Sequence, residues 1–478
     1  MPLQFKSTPS KKANTILIAF AKDKVDHQLI KEYGGLKYDI DVKTNGKELT
    51  SFLHPEKNQR VHILGLGEEK DHAKSYTFYR SFVYQQRAKK DMVLDVITDN
   101  LTDDQIVNVV LGARLGLINH GVYKTNGDKY VEPEINIVIS KSRVKIAELG
   151  LKIAETQLKS MHLVDLPPNV KTPQYLGKHV VASGKEFGYD VKVMDAKELK
   201  KNGLDALTAV GQGSVNPPVL IVMEYKPKGS HSKTPKLGLV GKGITFDTGG
   251  LSIKPSANMG YMKSDMGGAA AVIGAVELAA KLKLDIHLVG VIPAAENSVD
   301  ANSYRPGDVI SSYSGKSIEI IDTDAEGRVV LADGLAYILK NYNPTYLVDL
   351  ATLTGNCIAA LGYSTSGIFT HNDEMANDLT AAGDSVHERV WRLPLWDDYA
   401  PDMHSDIADI KNFSGKPVAG AITAAKFLEA FTSQHPKWTH IDIAGVAFSD
   451  SEFAKMRTAT GYGVRLLYTY MNMLINKK

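Results

Sequence analysis

Short apolar runs, each bounded by polar or turn-forming residues, recur along the whole chain. In the first third they cover residues 15–20, 61–64, 92–97 and 135–139. Further along they cover residues 219–223, 237–240, 286–291 and 346–350. Runs of this length and composition indicate buried β-strands.

Longer segments with helical spacing of their apolar residues separate these runs. They cover residues 105–117, 141–161, 268–282 and 329–339. Strands that are apolar throughout and alternate with helices are typical of a sheet covered by helices on both faces. The pattern therefore predicts the α/β fold class.

A domain boundary is expected where the helix predicted over residues 141–161 ends. The adjacent prolines Pro167 and Pro168 follow it, and proline cannot continue a helix. We therefore predict an N-terminal α/β domain over residues 1–158, ending in a linker helix, and a larger domain over residues 159–478. Two or three domains of roughly 100–200 residues fit a chain of 478 residues.

Composition narrows the classes of function. With 43% hydrophobic and 23% charged residues, the chain is globular rather than disordered or fibrous. A formal net charge of +2 gives no global basic field for nucleic acid, although residues 1–160 hold 25 Lys and Arg against 20 Asp and Glu. The first apolar run is too short for a signal peptide or a membrane span, which predicts a soluble cytoplasmic protein.

The chain has a single cysteine, Cys357. This count excludes disulfide frameworks and metal sites built from cysteine. Cys357 lies in an apolar segment and is predicted to be a small core residue rather than a nucleophile.

Glycine and charged residues concentrate in two segments. The first follows the strand predicted over residues 237–240 and carries Lys242, Asp247, Lys254 and Asp265. Ligand sites in α/β sheets gather beyond the carboxyl ends of strands, and glycine lets the backbone approach a ligand closely. Asp265 also precedes a predicted helix, so the N-cap of that helix is an alternative role.

The second segment places four charged residues at alternate positions: Asp322, Asp324, Glu326 and Arg328. In an extended chain these side chains would share one face. Carboxylates packed together repel each other and raise their own pKa values, which a bound divalent cation would relieve. A solvated acidic surface is the alternative interpretation.

The candidate ligands are mostly carboxylates, which suit Mg²⁺ or Mn²⁺ and which Zn²⁺ also accepts. Asp247, Asp265, Asp324 and Glu326 are numerous enough to bridge two metal ions. Paired metals are a recurrent hydrolytic device. The residues therefore indicate a two-metal hydrolytic centre.

In these segments the chain resembles the leucyl aminopeptidases of the cytosolic, two-metal type. The most specific matches are the runs TDAEGR at residues 323–328 and VGKGITFD at residues 240–247. Supporting matches lie at residues 210–214, 351–355, 407–412 and 442–445. The resemblance covers the second domain and is weak over the first.

The resemblance implies a role for each of eleven residues. Asp247 and Glu326 would bridge the metals, Asp324 would complete one site, and Lys242 and Asp265 would complete the other. Lys254 would polarise the scissile carbonyl, and Arg328 would hold a bicarbonate ion that acts as general base. The side-chain pocket would be lined by Met262, Thr352, Gly355 and Ala444.

The resemblance also implies an architecture and an activity. A smaller mixed α/β N-terminal domain would precede a catalytic α/β domain with an eight-stranded central mixed sheet flanked by helices. Two divalent ions per subunit, Mn²⁺ or Zn²⁺ with Mg²⁺ or Co²⁺ as further options, would hydrolyse peptides with a free N-terminal Leu or other uncharged residue. The usual assembly of the family is a homohexamer.

Four positions depart from the family pattern: Asp322, Gly260, Asn356 and Ala447. Asp322 adds a carboxylate near the metals, which predicts tighter or different metal occupancy or a side chain that faces solvent. The residues around the pocket predict one that is wider or more polar than one shaped for Leu, and they leave the preferred residue open. Two alternative functions also stay open. One is DNA binding through the N-terminal domain, which its mild basic excess permits; the other is a catalytically inactive homologue, which the complete set of seven polar site residues argues against.

Overall fold

The computed structural model describes residues 3–89, 91–125, 132–229, 234–449 and 453–477. The chain forms two compact units, Met1–Leu158 with Glu452–Lys455, and Lys159–Ser451 with Met456–Lys478. Both units combine helices with a β-sheet, so the predicted α/β class is confirmed. No helix within the described ranges is long and apolar enough to cross a membrane.

The first unit contains a six-stranded sheet in the order β1-β6-β5-β2-β4-β3. All neighbouring pairs are parallel except β3 with β4. The strands are β1 Leu3–Lys6, β2 Thr15–Phe20, β3 Leu49–Leu53, β4 Arg60–Gly65, β5 Val93–Ile97 and β6 Glu134–Val138. The helices are α1 His27–Gly34, α2 Ser75–Gln86 and α3 Asp103–Gly116, followed by α4 Val144–Asp165, which contains the boundary between the units.

The described part of the second unit contains a nine-stranded sheet, in which β10 pairs with β11 beside the path β16-β15-β18-β14-β9-β11-β8-β7. The resemblance implied eight strands. The strands of this sheet are β7 Asp190–Met194, β8 Val219–Tyr225, β9 Lys236–Gly241, β10 Gly243–Asp247, β11 His287–Asn297, β14 Tyr346–Ala351, β15 Ser366–Phe369, β16 Val390–Arg392 and β18 Trp438–Asp442. Two small sheets hold β12 Val309–Ser311, β13 Ser317–Glu319 and β17 Ile410–Lys411, and β19 Phe448–Ser449 with β20 Thr458–Ala459.

Ten helices are described beyond α4. They are α5 Pro173–Phe187, α6 Ala196–Asn202, α7 Asp205–Gly211, α8 Ser256–Met259, α9 Gly267–Leu282, α10 Glu326–Tyr342, α11 Gly355–Leu361, α12 Asp373–Val386, α13 Gly420–Glu429 and α14 Val464–Asn476. Val240 of β9 lies against Gly334 of α10, whereas Gly241, the next residue, lies against Gly268 of α9. Successive residues of a strand face opposite sides, so α9 and α10 cover opposite faces of the sheet.

Four neighbouring strands at the centre of this sheet, β18, β14, β9 and β11, run parallel. Their register places Asp442 beside Ala351 and Gly241 beside Leu350. The carboxyl ends of these strands therefore meet at one edge of the sheet, which is where ligand sites form in α/β folds.

Gly268 lets the start of α9 approach this edge. A Cβ atom on Gly268 would lie 2.0 Å from the carbonyl oxygen of Leu350 and 3.0 Å from the amide nitrogen of Lys242. Both neighbours are backbone atoms of the sheet edge, since the Lys242 amide donates to the Leu350 oxygen at 3.0 Å. No side chain fits between the helix and the sheet at this point.

We expect Gly268→Ala to lower the free energy of unfolding by about 1–3 kcal/mol, the usual cost of overpacking a tight interior. Gly260→Ala is the matched control, because its backbone is helical (φ −61°) and its Cβ would meet no heavy atom within 4 Å. Denaturant unfolding of the two metal-free variants measures the difference. Equal stability of both would show that the contact at Gly268 relaxes without cost.

Candidate metal centre

Lys242 is the single residue between β9 and β10, and it is 3% exposed. Its Nζ lies 2.8 Å from Asp265 Oδ2 and 2.8 Å from Glu326 Oε1, and it donates to the carbonyl oxygen of Thr352 at 3.1 Å. The side chain passes over Gly327, where a Cβ would lie 2.4 Å from Lys242 Cε. A lysine at the end of the central strand thus joins two acidic residues from other elements.

Asp247 is the last residue of β10 and is buried. Its Oδ1 accepts hydrogen bonds from the amide of Gly249 at 2.8 Å and from Asn297 Nδ2 at 2.9 Å. Its Oδ2 lies 2.8 Å from Lys254 Nζ. One oxygen is therefore fixed by neutral donors, and the other faces the charged cluster.

Asp265 does not cap the helix that follows it, so the N-cap alternative is wrong. The residue before α9 is Met266, and no side chain caps that helix end. Asp265 instead accepts a hydrogen bond from Thr352 Oγ1 at 2.8 Å and lies beside Lys242. Thr352 and Lys242 both lie just beyond the carboxyl ends of central strands. Their contacts with Asp265 orient its carboxylate toward this edge of the sheet.

The segment from Asp322 to Arg328 is not extended, so the expectation that its charged side chains share one face of a strand is wrong. Asp322 Oδ1 accepts from the amide of Asp324 at 2.8 Å, a local turn that competes with extended backbone. Helix α10 then begins at Glu326. A carboxylate in the first turn of a helix is stabilised by the helix dipole.

Asp247, Asp265 and Glu326 come together in space. Each offers one oxygen, these oxygens lie within 4.8 Å of one another, and all three residues are buried. Among the described residues this is the only such group of three or more metal-binding side chains. Asp324 lies beside the group, with a side chain that is 34% exposed and paired with Lys254.

The hydrogen bonding of this cluster fits a bound cation. Asp265 Oδ2, Asp324 Oδ1 and Glu326 Oε1 are buried and accept no hydrogen bond of adequate geometry, although lysine ammonium groups lie within ion-pair distance. Buried oxygens in this state cost free energy. Convergent carboxylate oxygens with free lone pairs are the donor set that divalent cations bind.

The pKa values of the acids reflect crowding in the absence of metal. Burial raises the pKa of Asp324 to about 7, and repulsion by Asp247 and Glu326 adds to this effect. Burial, with repulsion by Glu326, also raises the pKa of Asp247 and holds that of Asp265 well above its usual range. For Glu326, attraction by the two lysines outweighs burial, and its pKa is lowered.

The surrounding acids set the pKa of Lys242 in the metal-free chain. Burial lowers the pKa of Lys242, but attraction by Asp265, Glu326 and Asp247 outweighs burial and raises the pKa above its usual value. Ligation by Lys242 therefore requires the metal to displace a proton that the acids hold in place.

Lys254 and Arg328 place two further cations next to the cluster. Lys254 Nζ contacts both Asp247 and Asp324, and this attraction outweighs burial and raises its pKa. Arg328 donates from Nη1 to the carbonyl oxygen of Asn412 at 3.0 Å, and burial lowers its pKa to about 10. Arg328 Nε is buried and has no hydrogen-bond partner in the described part of the chain.

The residues predicted to line a side-chain pocket lie beyond the same strand ends. Thr352 and Gly355 follow β14, and Ala444 follows β18. Met262 lies in the short helical turn before Asp265, and its carbonyl oxygen accepts from the Asp265 amide at 3.2 Å. Thr352 uses its hydroxyl to hold Asp265, a contact that the sequence did not predict. Their role as a pocket stays a prediction.

The four departures from the family pattern have different surroundings. The Asp322 carboxylate accepts a hydrogen bond from the Asp324 amide, and Asn356 Oδ1 lies close to Gly420. A Cβ on Gly260 would meet no heavy atom of the described residues within 4 Å. Ala447 is buried, and its Cβ lies 3.0 Å from the position of a Cβ on Gly267. Asp322 and Asn356 thus already have protein neighbours, and the effect of Asp322 on metal occupancy and of Asn356 on the pocket stay predictions.

Sequence reasoning missed two buried residues that hold these loops. Asn297, the last residue of β11, donates through Nδ2 to Asp247 Oδ1 and to the carbonyl oxygen of Thr323, both at 2.9 Å. Asp442, the last residue of β18, accepts from Thr354 Oγ1 at 2.7 Å and from the Ala444 amide at 3.1 Å. A polar residue ending an apolar strand is the sequence signal that could have found both.

Comparison with known families decides the relationship. The model of the cytosol aminopeptidase family, catalytic domain, matches residues 159–468. The chain belongs to the cytosol aminopeptidase family. This match confirms the resemblance on which the site residues were assigned, and it begins at the second unit.

Individual members of the family are similar over the same region. A protein of Chlorobium luteolum named "Probable cytosol aminopeptidase" is 51% identical over 66% of this chain and 62% of its own length. One of Rickettsia felis with the same name is 42% identical over 77% of this chain and 74% of its own length. The chain thus spans less than two thirds of the length of the first of these relatives.

A solved structure is similar over nearly the whole chain. The bottromycin maturation enzyme BotP, determined in complex with Mn, has a TM-score of 0.86 and 30% sequence identity. The match covers 97% of this chain and 100% of BotP. The similarity therefore includes the first unit, over which the family model does not extend.

We expect Glu326→Gln to weaken Mn²⁺ binding by about tenfold or more, since an amide offers one neutral oxygen where a carboxylate offers two charged ones. Calorimetric titration of the metal-free protein measures this change. Glu277→Gln is the control, because Glu277 is also buried (2% exposed) but pairs with Lys281 on α9 instead of the cluster. Unchanged affinity in Glu326→Gln would exclude Glu326 as a ligand.

We expect Mn²⁺ affinity to fall as the pH falls. Asp324 binds a proton below its pKa of about 7, and Lys242 must lose one to ligate, so protons compete with the metal. Each displaced proton lowers the affinity about tenfold per pH unit on the acidic side. Titrations across about pH 6 to pH 9 measure the trend, and a constant affinity would count against Lys242 as a ligand.

Proposed function

We propose that this protein is a metal-dependent aminopeptidase that releases N-terminal Leu or other uncharged residues from peptides. The convergence of Asp247, Asp265 and Glu326 in one buried cluster, within 4.8 Å of each other, is the observation that supports it. Membership of the cytosol aminopeptidase family gives the reaction class.

Two divalent ions per subunit fit the donor set. Asp247 and Glu326 would contribute to both sites, Asp324 to one, and Lys242 with Asp265 to the other. Ions held there supply Lewis-acid activation of water and of the scissile carbonyl. Mn²⁺ is the first candidate, since BotP was determined with Mn, and Zn²⁺, Mg²⁺ and Co²⁺ also accept this oxygen-rich set.

Two cationic side chains act on the reacting groups in this proposal. Lys254 directs its ammonium at the cluster and would stabilise negative charge that develops on the carbonyl oxygen. Arg328 has a buried Nε without a hydrogen-bond partner among the residues that the structure describes, which suits a small anion such as bicarbonate acting as general base. The guanidinium is held in place by the Asn412 carbonyl.

Selection of a free N-terminus follows from the same site. A free α-amino group has a basic lone pair that could ligate a metal ion held there, whereas an acylated nitrogen is far less basic and would be a poor ligand. Met262, Thr352, Gly355 and Ala444 would receive the first side chain. Since none of these residues carries a formal charge, uncharged side chains fit best.

The assembly and the location are parts of the same proposal. Relatives are named cytosol aminopeptidases, which supports the cytoplasm as the site of action. A homohexamer is the assembly that the family resemblance implies. Size-exclusion chromatography with light scattering tests it, and a mass near the 52.2 kDa of one chain would exclude it.

Hydrolysis of a free and an N-acetylated leucyl peptide, each with and without a chelator, tests the activity. We expect cleavage of the free peptide alone, loss of cleavage with the chelator and recovery when Mn²⁺ is added back. Glu277→Gln serves as the active control and Glu326→Gln as the inactive variant. Cleavage of the blocked peptide, or full activity without metal, would contradict the proposal.

A further inference from the structure

Lys171 is a fully buried lysine in the connection between α4 and α5, with 0% of its surface exposed. Its Nζ donates to two main-chain carbonyl oxygens, Val164 O at 2.7 Å and Lys263 O at 2.5 Å. A lysine is seldom buried completely unless its amine has specific partners. Both partners here belong to the backbone of the second unit.

The first partner lies at the carboxyl end of α4. The last carbonyl groups of a helix lack partners within the helix, and cationic side chains near them are favourable. Lys171 satisfies Val164 O, and Lys263 Nζ donates to Asp165 O at 2.9 Å. Two lysines therefore complete this helix end, and each links it to the segment around Lys263.

The second partner lies directly before the candidate metal centre. Lys263 stands between Met262, a predicted pocket residue, and Asp265, a predicted ligand. Two other links leave the segment: Lys263 Nζ donates to Asp165 O, and Asp265 accepts from Thr352 Oγ1 at 2.8 Å and pairs with Lys242. The Asp265 amide also donates to Met262 O at 3.2 Å, and Ser264 Oγ donates to Tyr261 O at 2.7 Å, but these two bonds are local and do not fix the position of the segment.

We propose that Lys171 is a positioning residue that fastens the segment 262–265 to the end of α4 and so holds Asp265 in the metal centre. The inference deepens the proposed function and rests on it. An apolar side chain at position 171 would leave two buried carbonyl groups without a donor. The segment could then move away, carrying the ligand and the pocket residue together.

The link does not depend on the charge of the amine. Burial, together with repulsion by Lys263, lowers the pKa of Lys171 to about 7 against the opposing attraction of Asp165 and Asp265. A neutral amine still has two N–H groups, one for each carbonyl oxygen. The two hydrogen bonds therefore persist in either protonation state.

Lys171→Met tests the proposal, with Lys171→Arg as the conservative variant. Outer partners of metal ligands commonly contribute about tenfold to a hundredfold to metal affinity. We expect Lys171→Met to weaken Mn²⁺ binding to the metal-free protein by about tenfold, and Lys171→Arg to restore part of that loss because it keeps donors at this position. In Lys171→Met, the rate of backbone amide hydrogen exchange should rise over residues 260–266 and stay unchanged over strands β9 and β14.

Lys178→Met is the matched control, since it makes the same change at an exposed lysine on α5. It should leave Mn²⁺ affinity and local exchange unaltered. The proposal would be overturned if Lys171→Met bound Mn²⁺ with the same affinity as the wild-type protein. It would also be overturned if amide exchange rose evenly across the unit, since this would show a general structural role. Failure of both Lys171 variants to fold would overturn it in the same way.

The outcomes separate this inference from the proposed function. Wild-type protein that binds Mn²⁺ but cleaves no peptide would contradict the aminopeptidase, while the effect of Lys171 on Mn²⁺ affinity would still decide the inference. Wild-type protein that binds no Mn²⁺ would contradict the metal centre. Hydrogen exchange over residues 260–266 would then decide whether Lys171 holds the segment.

Discussion

Three buried carboxylates within 4.8 Å of one another repel each other strongly, and the organisation of the second unit follows from keeping them there. They come from three different elements: the end of β10, the turn before α9 and the start of α10. The parallel central strands bring these elements to one edge. Covering helices on both faces then bury the acids, and burial strengthens the repulsion.

Two of the carboxylates have one oxygen held by neutral donors while the other faces the cluster. Asn297 and the Gly249 amide hold Asp247, and Thr352 holds Asp265. Neutral donors orient a carboxylate without consuming its charge, which leaves the second oxygen available to a cation. The residues that bring this about end or follow the strands, so the sheet register itself determines the direction of each acid.

Much of this arrangement could be predicted from the sequence, because apolar strands and dense glycine–charge motifs are local signals. The sequence predicts strands β8, β9 and β14 and helices α9 and α10 near their observed bounds, whereas β11 continues past the predicted end at residue 291 to Asn297. Strands β10, which ends at Asp247, and β18, which contains His440, were not predicted because polar residues break their apolar runs. The turn at Asp322 was misjudged because side-chain capping of a backbone amide outweighs alternation. Lys171 gave no local signal, since both of its partners are backbone atoms and one of them, Lys263 O, lies 92 residues further along the chain.

The charges around Lys242 explain how the cluster is neutralised. When all four are ionised, the carboxylates of Asp247, Asp265, Asp324 and Glu326 carry four negative charges against two positive charges from Lys242 and Lys254. In the metal-free chain both lysines stay protonated, and the raised pKa values of Asp247, Asp265 and Asp324 mean that protons relieve part of the remaining negative charge. Two divalent ions would reverse this sign even after Lys242 lost its proton, and Arg328 adds a further positive charge beside them. A site that is crowded with acids in the metal-free chain would thus become cationic when loaded, which would favour the negative charge that develops during the proposed peptide hydrolysis.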